Sequence, residues 1–285
     1  MLDQLFQPLM NGLMAGFIYV LVALGLTLVF SIMGIINFAH GEIYMLGAFV
    51  TYTLTVSYRI NFFLSLVISM GAMALLGFVI ERVIFRPLRG QQLNILVISL
   101  GLAILLQNLA LIAWGPDDVS IPSPFPEAIE FRGIALSMER LAAVIISAVL
   151  IIGLHLFLQF SRFGQAMRAV SQDAEAACLQ GIPLERVESL SFCVGCVLAA
   201  AAGSLIGPIF FVSPFIGTVP VMKAFVVIIL GGLGSIPGAV LGGILLGLTE
   251  SFSATFVGAI FQDMIGFFII LLVLILKPSG LLGYE

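Results

Sequence analysis

Three polar side chains, Asn37, His40 and Glu42, fall within six positions of an otherwise apolar stretch. They sit between two strongly apolar segments, residues 13–33 and 43–54, in a chain that is 61% hydrophobic and only 9% charged. Backbone left unpaired in hydrocarbon is costly, so a break in a helix survives only inside protein or beside water. An ionisable residue at such a break points to a pathway for a solute or an ion. A plainer reading fits the same residues. Asn37 is a natural N-cap, and Glu42 would lie in the first helical turn, at the positive end of the dipole. The two roles are compatible.

A second break, residues 231–238, offers backbone more than side chains. Its Gly231, Gly232, Gly234, Ser235 and Pro237 join Asn37, His40 and Glu42 as the candidate translocation pathway, on the expectation that the two breaks meet near the membrane centre. Half-helix ends there would offer partial charges of both signs. The glycine run lacks the lysine of a Gly-x-x-x-x-Gly-Lys-Ser/Thr phosphate cradle, and no such motif occurs elsewhere in the sequence. ATP chemistry is therefore expected from another chain. Enzyme chemistry has no cluster to work with, since His40 and His155 are far apart and no metal-ligand spacing occurs. Cys193 and Cys196 lie in an apolar segment, where cysteine packs as a small hydrophobe. Neither a cofactor nor a nucleic-acid partner is expected.

What must position these residues is a membrane domain. A mean hydropathy of +1.23 over 285 residues describes a single multi-pass domain, residues 1–285, with no soluble domain attached. The fold class is all-α, with about eight to ten transmembrane or half-membrane helices. No basic stretch or cleavage site marks the start, so no removable signal peptide is expected. Residues 5–33 are too long for one straight span and contain Gly12, Gly16 and Gly25, which suggests two pieces, 5–20 and 21–33. Further spans are expected near 62–80, 93–114, 141–160, 190–209 and 265–276.

Arginines mark the inner side of a membrane. Arg82, Arg86 and Arg89, and then Arg162, Arg168 and Arg186, place two loops inside. The acidic, proline-rich loop 115–140 is then external, with Asp117, Asp118, Glu127, Glu130 and Glu139 against Arg132 and Arg140. Lys277 argues for an inner C-terminus, and an inner N-terminus is expected with it. Interrupted segments near 21–56 and again near 222–256 suggest an inverted repeat of the transporter kind. Gly242, Gly243 and Gly247 are expected to serve close helix packing.

The inner segment 161–188 carries Phe163, Met167, Val170, Ala174 and Ala177 at spacings of three and four, one stripe of a short helix. Arg168, Gln172 and Glu175 point elsewhere. Gly181 followed by Pro183 is a stop signal. A lipid-bound helix would carry bulky apolar residues and a basic polar face. Small residues and mixed charge favour docking of a soluble partner on the stripe.

Three motifs in order then resemble one family. Ile35-Ile-Asn-Phe-Ala-His-Gly-Glu-Ile-Tyr-Met-Leu-Gly, Arg162-Phe-Gly-Gln-Ala-Met-Arg-Ala-Val-Ser-Gln-Asp-Ala and Leu230-Gly-Gly-Leu-Gly-Ser-Ile-Pro-Gly-Ala are similar to bacterial branched-chain amino-acid ABC importer permeases of the LivH type. The resemblance runs from about Gly12 to Gly283. It implies a bacterial inner-membrane subunit that pairs with a second related permease, two ATP-binding subunits and a periplasmic substrate-binding protein. Glu175-Ala-Ala-x-x-x-Gly181 resembles the short motif by which such permeases touch their ATPases, so Met167, Arg168, Val170, Ala174, Glu175, Ala177 and Gly181 are the candidate coupling residues. The competing reading is a self-sufficient ion-coupled carrier, or a channel for a small polar solute such as urea or amides. It needs acidic residues deep in the spans, and only Glu42 and Glu250 qualify.

Overall fold

The computed structural model describes residues 2–125, 129–131 and 134–283. Glu127 and Arg132, two charges assigned to the external loop, lie outside the described residues. Among the described residues the chain forms eleven α-helices: α1 Leu2–Met33, α2 His40–Tyr52, α3 Phe62–Ile80, α4 Gln92–Trp114, α5 Met138–Phe160, α6 Arg162–Gln172, α7 Ala174–Leu179, α8 Leu184–Ile206, α9 Thr218–Gly231, α10 Ile236–Phe256 and α11 Gln262–Leu276. The loop between α4 and α5 adds one small antiparallel hairpin, Ile129–Phe131 with Ile134–Leu136. Among the described residues, seven helices are long and apolar enough to cross a membrane.

The chain's first long apolar block is one helix, not two. At 32 residues α1 is about 48 Å long, well beyond a hydrocarbon core of about 30 Å. Its glycines do not break it; they let neighbours come close. A β-carbon at Gly12 would lie 2.8 Å from the Leu248 Cα, and one at Gly16 would lie 3.0 Å from that of Ile244. Gly243 and Gly247 meet α1 from the other side, while Gly242 faces Val227 and Gly231 of α9. This is small-residue packing, the role expected of those three glycines.

By contrast α2, with 13 residues and a π-helical turn over Thr53–Ser57 at its end, and α9, with 14, reach only about 20–25 Å and cannot cross a core of about 30 Å alone. Each follows a long helix after a non-helical break, residues 34–39 and residues 207–217. The packing is paired in the same way. α1 lies on α10 as α8 lies on α3, and α2 lies on α8 as α9 lies on α1. α2 also touches α3 and α4, as α9 touches α10 and α11. Both long pairs are antiparallel: Gly12 meets Leu248 where Gly16 meets Ile244, and Ser69 meets Ser204 where Gly77 meets Cys196. The inverted repeat is therefore α1–α4 against α8–α11. Its second break is 207–217, not the glycine run 231–238 on which the pattern reading placed it.

The ends of the chain lie on opposite faces. Asn11 of α1 bonds Arg140 at the start of α5, and Ser251 Oγ donates to the Pro8 carbonyl (2.7 Å). Twenty residues later, about 30 Å along α1, Ser31 Oγ donates to the Gly234 carbonyl at 3.3 Å. There residues 277–283 close on α9, with the Leu281 and Leu282 amides on the Leu230 and Gly231 carbonyls, both at 2.9 Å. Where two pieces were expected, α1 is a single uninterrupted helix, and it carries residues 2–11 to the end of the bundle opposite residues 277–283. The second face is the arginine face. Gln92 beside Arg89 donates to the Gly34 carbonyl, and Arg86 ties α3 to α8 through Glu81, Glu185 and Ser189.

Candidate functional site

The first break climbs back into the bundle from the arginine face. Asn37 does not cap α2; its Oδ1 accepts from the Ala39 amide two residues on (3.0 Å), a turn that reverses the chain. The Phe38 amide donates to Ser99 Oγ (3.3 Å), seven residues and about 10 Å up α4. One turn further along α2, Glu42 Oε1 accepts from Gln107 Nε2 at 2.8 Å. His40 is wedged between α1 and α8, so close that a β-carbon at Gly25 would lie 2.7 Å from His40 Nε2 and 2.8 Å from the Gly195 carbonyl oxygen. Asn37 Nδ2, His40 Nε2 and Glu42 Oε2 are buried and have no protein hydrogen-bond partner among the described residues. Hydrogen-bonding capacity is left over where hydrocarbon supplies none.

The second break enters from the opposite face. Val212 pairs with Val119 of the external loop through two backbone bonds, 2.9 and 2.7 Å, and the chain then turns inward. Gly217 reaches Gly41, where a β-carbon would lie 2.5 Å from the Gly217 carbonyl oxygen and 3.0 Å from Val221 Cβ. Phe225 packs on Phe38 with ring centroids 5.1 Å apart. The two half-helices thus meet at Gly41 and Gly217, with Phe38 on Phe225, while His40 faces α1 and α8 and Glu42 faces α4. Gly231, Gly232 and Gly234 lie elsewhere, between Ser31 and the tail 279–283, with Ser235 leading into α10 and Pro237 lining a cavity with Leu24 and His155. Gly232 and Gly234 adopt φ of +105° and +84°, and Ser235 Oγ caps α10 by accepting from the Gly238 amide at 3.1 Å. Backbone geometry suited to glycine is there, as the run suggested, but at the arginine face.

A cleft of about 480 Å³ opens on the face where α1 begins, between α1, α9, α10 and the second break. Met14, Ile18, Phe215 and Ile216 make its walls apolar, while Tyr19, Glu250, Gln262 and Arg140 supply polar groups. Beneath it lies a buried charge cluster that the sequence reading missed. Lys223 of α9 bonds Glu250 of α10 and, at 2.6 Å, Asp263 of α11. Glu250 also accepts from Tyr19 (2.9 Å) and, at 3.4 Å, from Gln262. The signal was present. Lys223 is the sole basic residue between Arg186 and Lys277, inside an apolar run.

The inner segment is two helices, not one. Asp173 ends α6 and caps α7, its Oδ1 accepting from the Glu175 and Ala176 amides, each at 2.9 Å. Met167, Val170 and Ala177 are buried within the chain, and α6 and α7 pack on α5 and α8. Three of the five stripe residues, Met167, Val170 and Ala177, are therefore covered by this chain itself. Outward stand Phe163, Arg168, Glu175, Ala176 and Leu179, the last 88% exposed. Ala174 is only partly covered, and Gly181 ends the segment at φ +82°.

Residues 9–276 match the family described as the permease component of the branched-chain amino-acid transport system. The chain belongs to that family. Among curated relatives, the permease is 37% identical to the high-affinity branched-chain amino-acid transport permease LivH of Escherichia coli K12, over 97% of this chain and 95% of the relative. Identity and coverage are the same for BraD of Pseudomonas aeruginosa. LivM of Escherichia coli K12 matches at 29%, over 93% of this permease and 68% of LivM. That lower match is to a second type of permease named for the same high-affinity system. No solved structure gives a significant match.

Proposed function

We propose that this permease forms half of the translocation unit of an ATP-driven importer of branched-chain, aliphatic amino acids in the bacterial inner membrane. Its partners are a second related permease, two ATP-binding subunits and a periplasmic binding protein, with lipid around the exposed faces of α3, α4, α5 and α11. The observation that carries the reading is the meeting of two interrupted spans, each a break followed by a half-helix and entering from opposite faces, at Gly41 and Gly217 inside an inverted repeat. Such meeting points place polar backbone at the membrane midplane, where transporters hold their pathways. The arginine face is the cytoplasmic one, which puts the N-terminal end outside and the C-terminal end inside.

The half-helices supply the path, and Asn37, His40 and Glu42 line it with unspent hydrogen-bonding groups. The run from Gly231 to Pro237 forms its inner mouth, held shut by the tail. The outward face of α6 and α7 takes the ATPase. Movement there reaches the path because these helices pack on α8, which is bound to α3 through Arg86, Glu81 and Ser189 and packs along the half-helix α2.

The test is uptake of labelled leucine into proteoliposomes holding the co-expressed complex, with the ATPase enclosed. ATP-dependent uptake is expected, and none is expected from the permease alone under a proton or sodium gradient. Uptake by the permease alone, indifferent to ATP, would replace the importer with an ion-coupled carrier.

A further inference from the structure

We infer that Glu250 is a receptor for a primary ammonium group entering from the outer cleft, and that Lys223 is its resident competitor. One ammonium here faces two carboxylates, so the Lys223–Glu250–Asp263 cluster has an acceptor to spare. Glu250 lines the cleft from one side and holds Lys223 on the other. Its weakest partner is the Gln262 amide at 3.4 Å, against 2.9 Å for the Tyr19 hydroxyl. An incoming ammonium displaces that amide and then takes the place of Lys223, which is the same chemical group. Lys223 keeps Asp263 at 2.6 Å, whose side chain is 67% exposed, so no charge is stranded during the exchange. A buried charge left without a partner would be strongly destabilising, which is why a second carboxylate matters.

The walls select the rest of the ligand. Met14, Ile18, Phe215 and Ile216 favour an aliphatic body. Arg140 stands at the rim on Asn11, about 12 Å along α1 from Tyr19, and meets a carboxylate on its way in. Because Lys223 belongs to α9 and Glu250 to α10, the exchange also unfastens a half-helix from its neighbour. The identity of the ligand as an aliphatic amino acid rests on the importer reading; the exchange itself does not.

The sequence has two lysines, Lys223 and Lys277. The purified full chain, labelled with ¹³C-lysine, therefore gives two side-chain signals, assigned with Lys277→Arg. Lys277 bonds the Leu281 carbonyl at the far face and serves as the internal control. The probes are leucine, leucinamide (ammonium without carboxylate) and 4-methylpentanoate (carboxylate without ammonium). Leucine and leucinamide are expected to shift the Lys223 signal alone, and 4-methylpentanoate neither. Glu250→Gln should weaken leucinamide binding at least tenfold. Should that variant fold poorly, Asp263→Asn keeps Glu250 but deprives Lys223 of its second carboxylate, and weaker binding is again expected. Equal shifts with all three probes, or an unmoved Lys223 signal, would overturn the exchange. Failed ATP-driven uptake with a responsive Lys223 removes the importer reading alone; successful uptake with a silent Lys223 removes the exchange alone.

Discussion

Leu179 offers the sharpest separation of two faces on one short helix. It is 88% exposed at the end of α7, while Ala177 two residues earlier is buried against the chain. If the ATPase covers Leu179, association gains about 1.3–2.6 kcal/mol, taking full burial of a leucine as about 1.5–3 kcal/mol and the exposed fraction from the structure. Losing that contact in Leu179→Ser should weaken the complex about tenfold to eightyfold. The chain's own stability should not change, since the side chain touches little within it. Met167→Ser should do the reverse, destabilising the permease by about 2–4 kcal/mol through a core cavity, with the ATPase affected only as the fold fails. Both are read by co-purification of the ATPase at graded subunit concentration, beside thermal unfolding of the permease in detergent. A Leu179→Ser complex as tight as wild type, with Met167→Ser folded but unable to hold the ATPase, would show that the inward stripe is the docking face after all.

Two further outcomes concern the glycines. Gly41→Val should insert normally yet lose uptake, because its β-carbon would fall 2.5 Å from the Gly217 carbonyl oxygen and force the half-helices apart at a cost of about 1–3 kcal/mol; full uptake in proteoliposomes would mean the contact is dispensable. Gly232→Leu should release the tail, since φ of +105° disfavours a side chain and its β-carbon would lie 2.5 Å from the Gly283 Cα. Faster hydrogen–deuterium exchange of the Leu281 and Leu282 amides, which are bonded to α9, measures that release, and unchanged exchange would refute it.

Much of this architecture was legible because its signals are local. The polar triplet in an apolar run marked the first break, and Gly181 before Pro183 marked a left-handed stop. What failed depended on partners distant in sequence. Gly12, Gly16 and Gly25 resemble helix breakers until Leu248, Ile244 and His40 are seen against them. The second break hid because residues 207–217 contain no charge, its backbone being satisfied partly by Val119. An amphipathic stripe on α6 and α7 shows that one side is buried, and says nothing about which molecule buries it. Lys223 stands out in sequence as a lone lysine in an apolar run, but its two carboxylates lie 27 and 40 residues further on.

The interlocking of the two halves constrains how such a chain could arise. α1 finds its close partners in α8, α9 and α10, and α8 finds its own in α1, α2 and α3. Neither four-helix unit covers its own first helix. A gene of half the length would have encoded a protein with a bare glycine face, stable only when two copies inserted in opposite orientations and gripped each other. Fusion of such copies fixes their orientations for good, and frees each to diverge: one lineage keeping its polar triplet at the first break, the other placing a lysine just after the second.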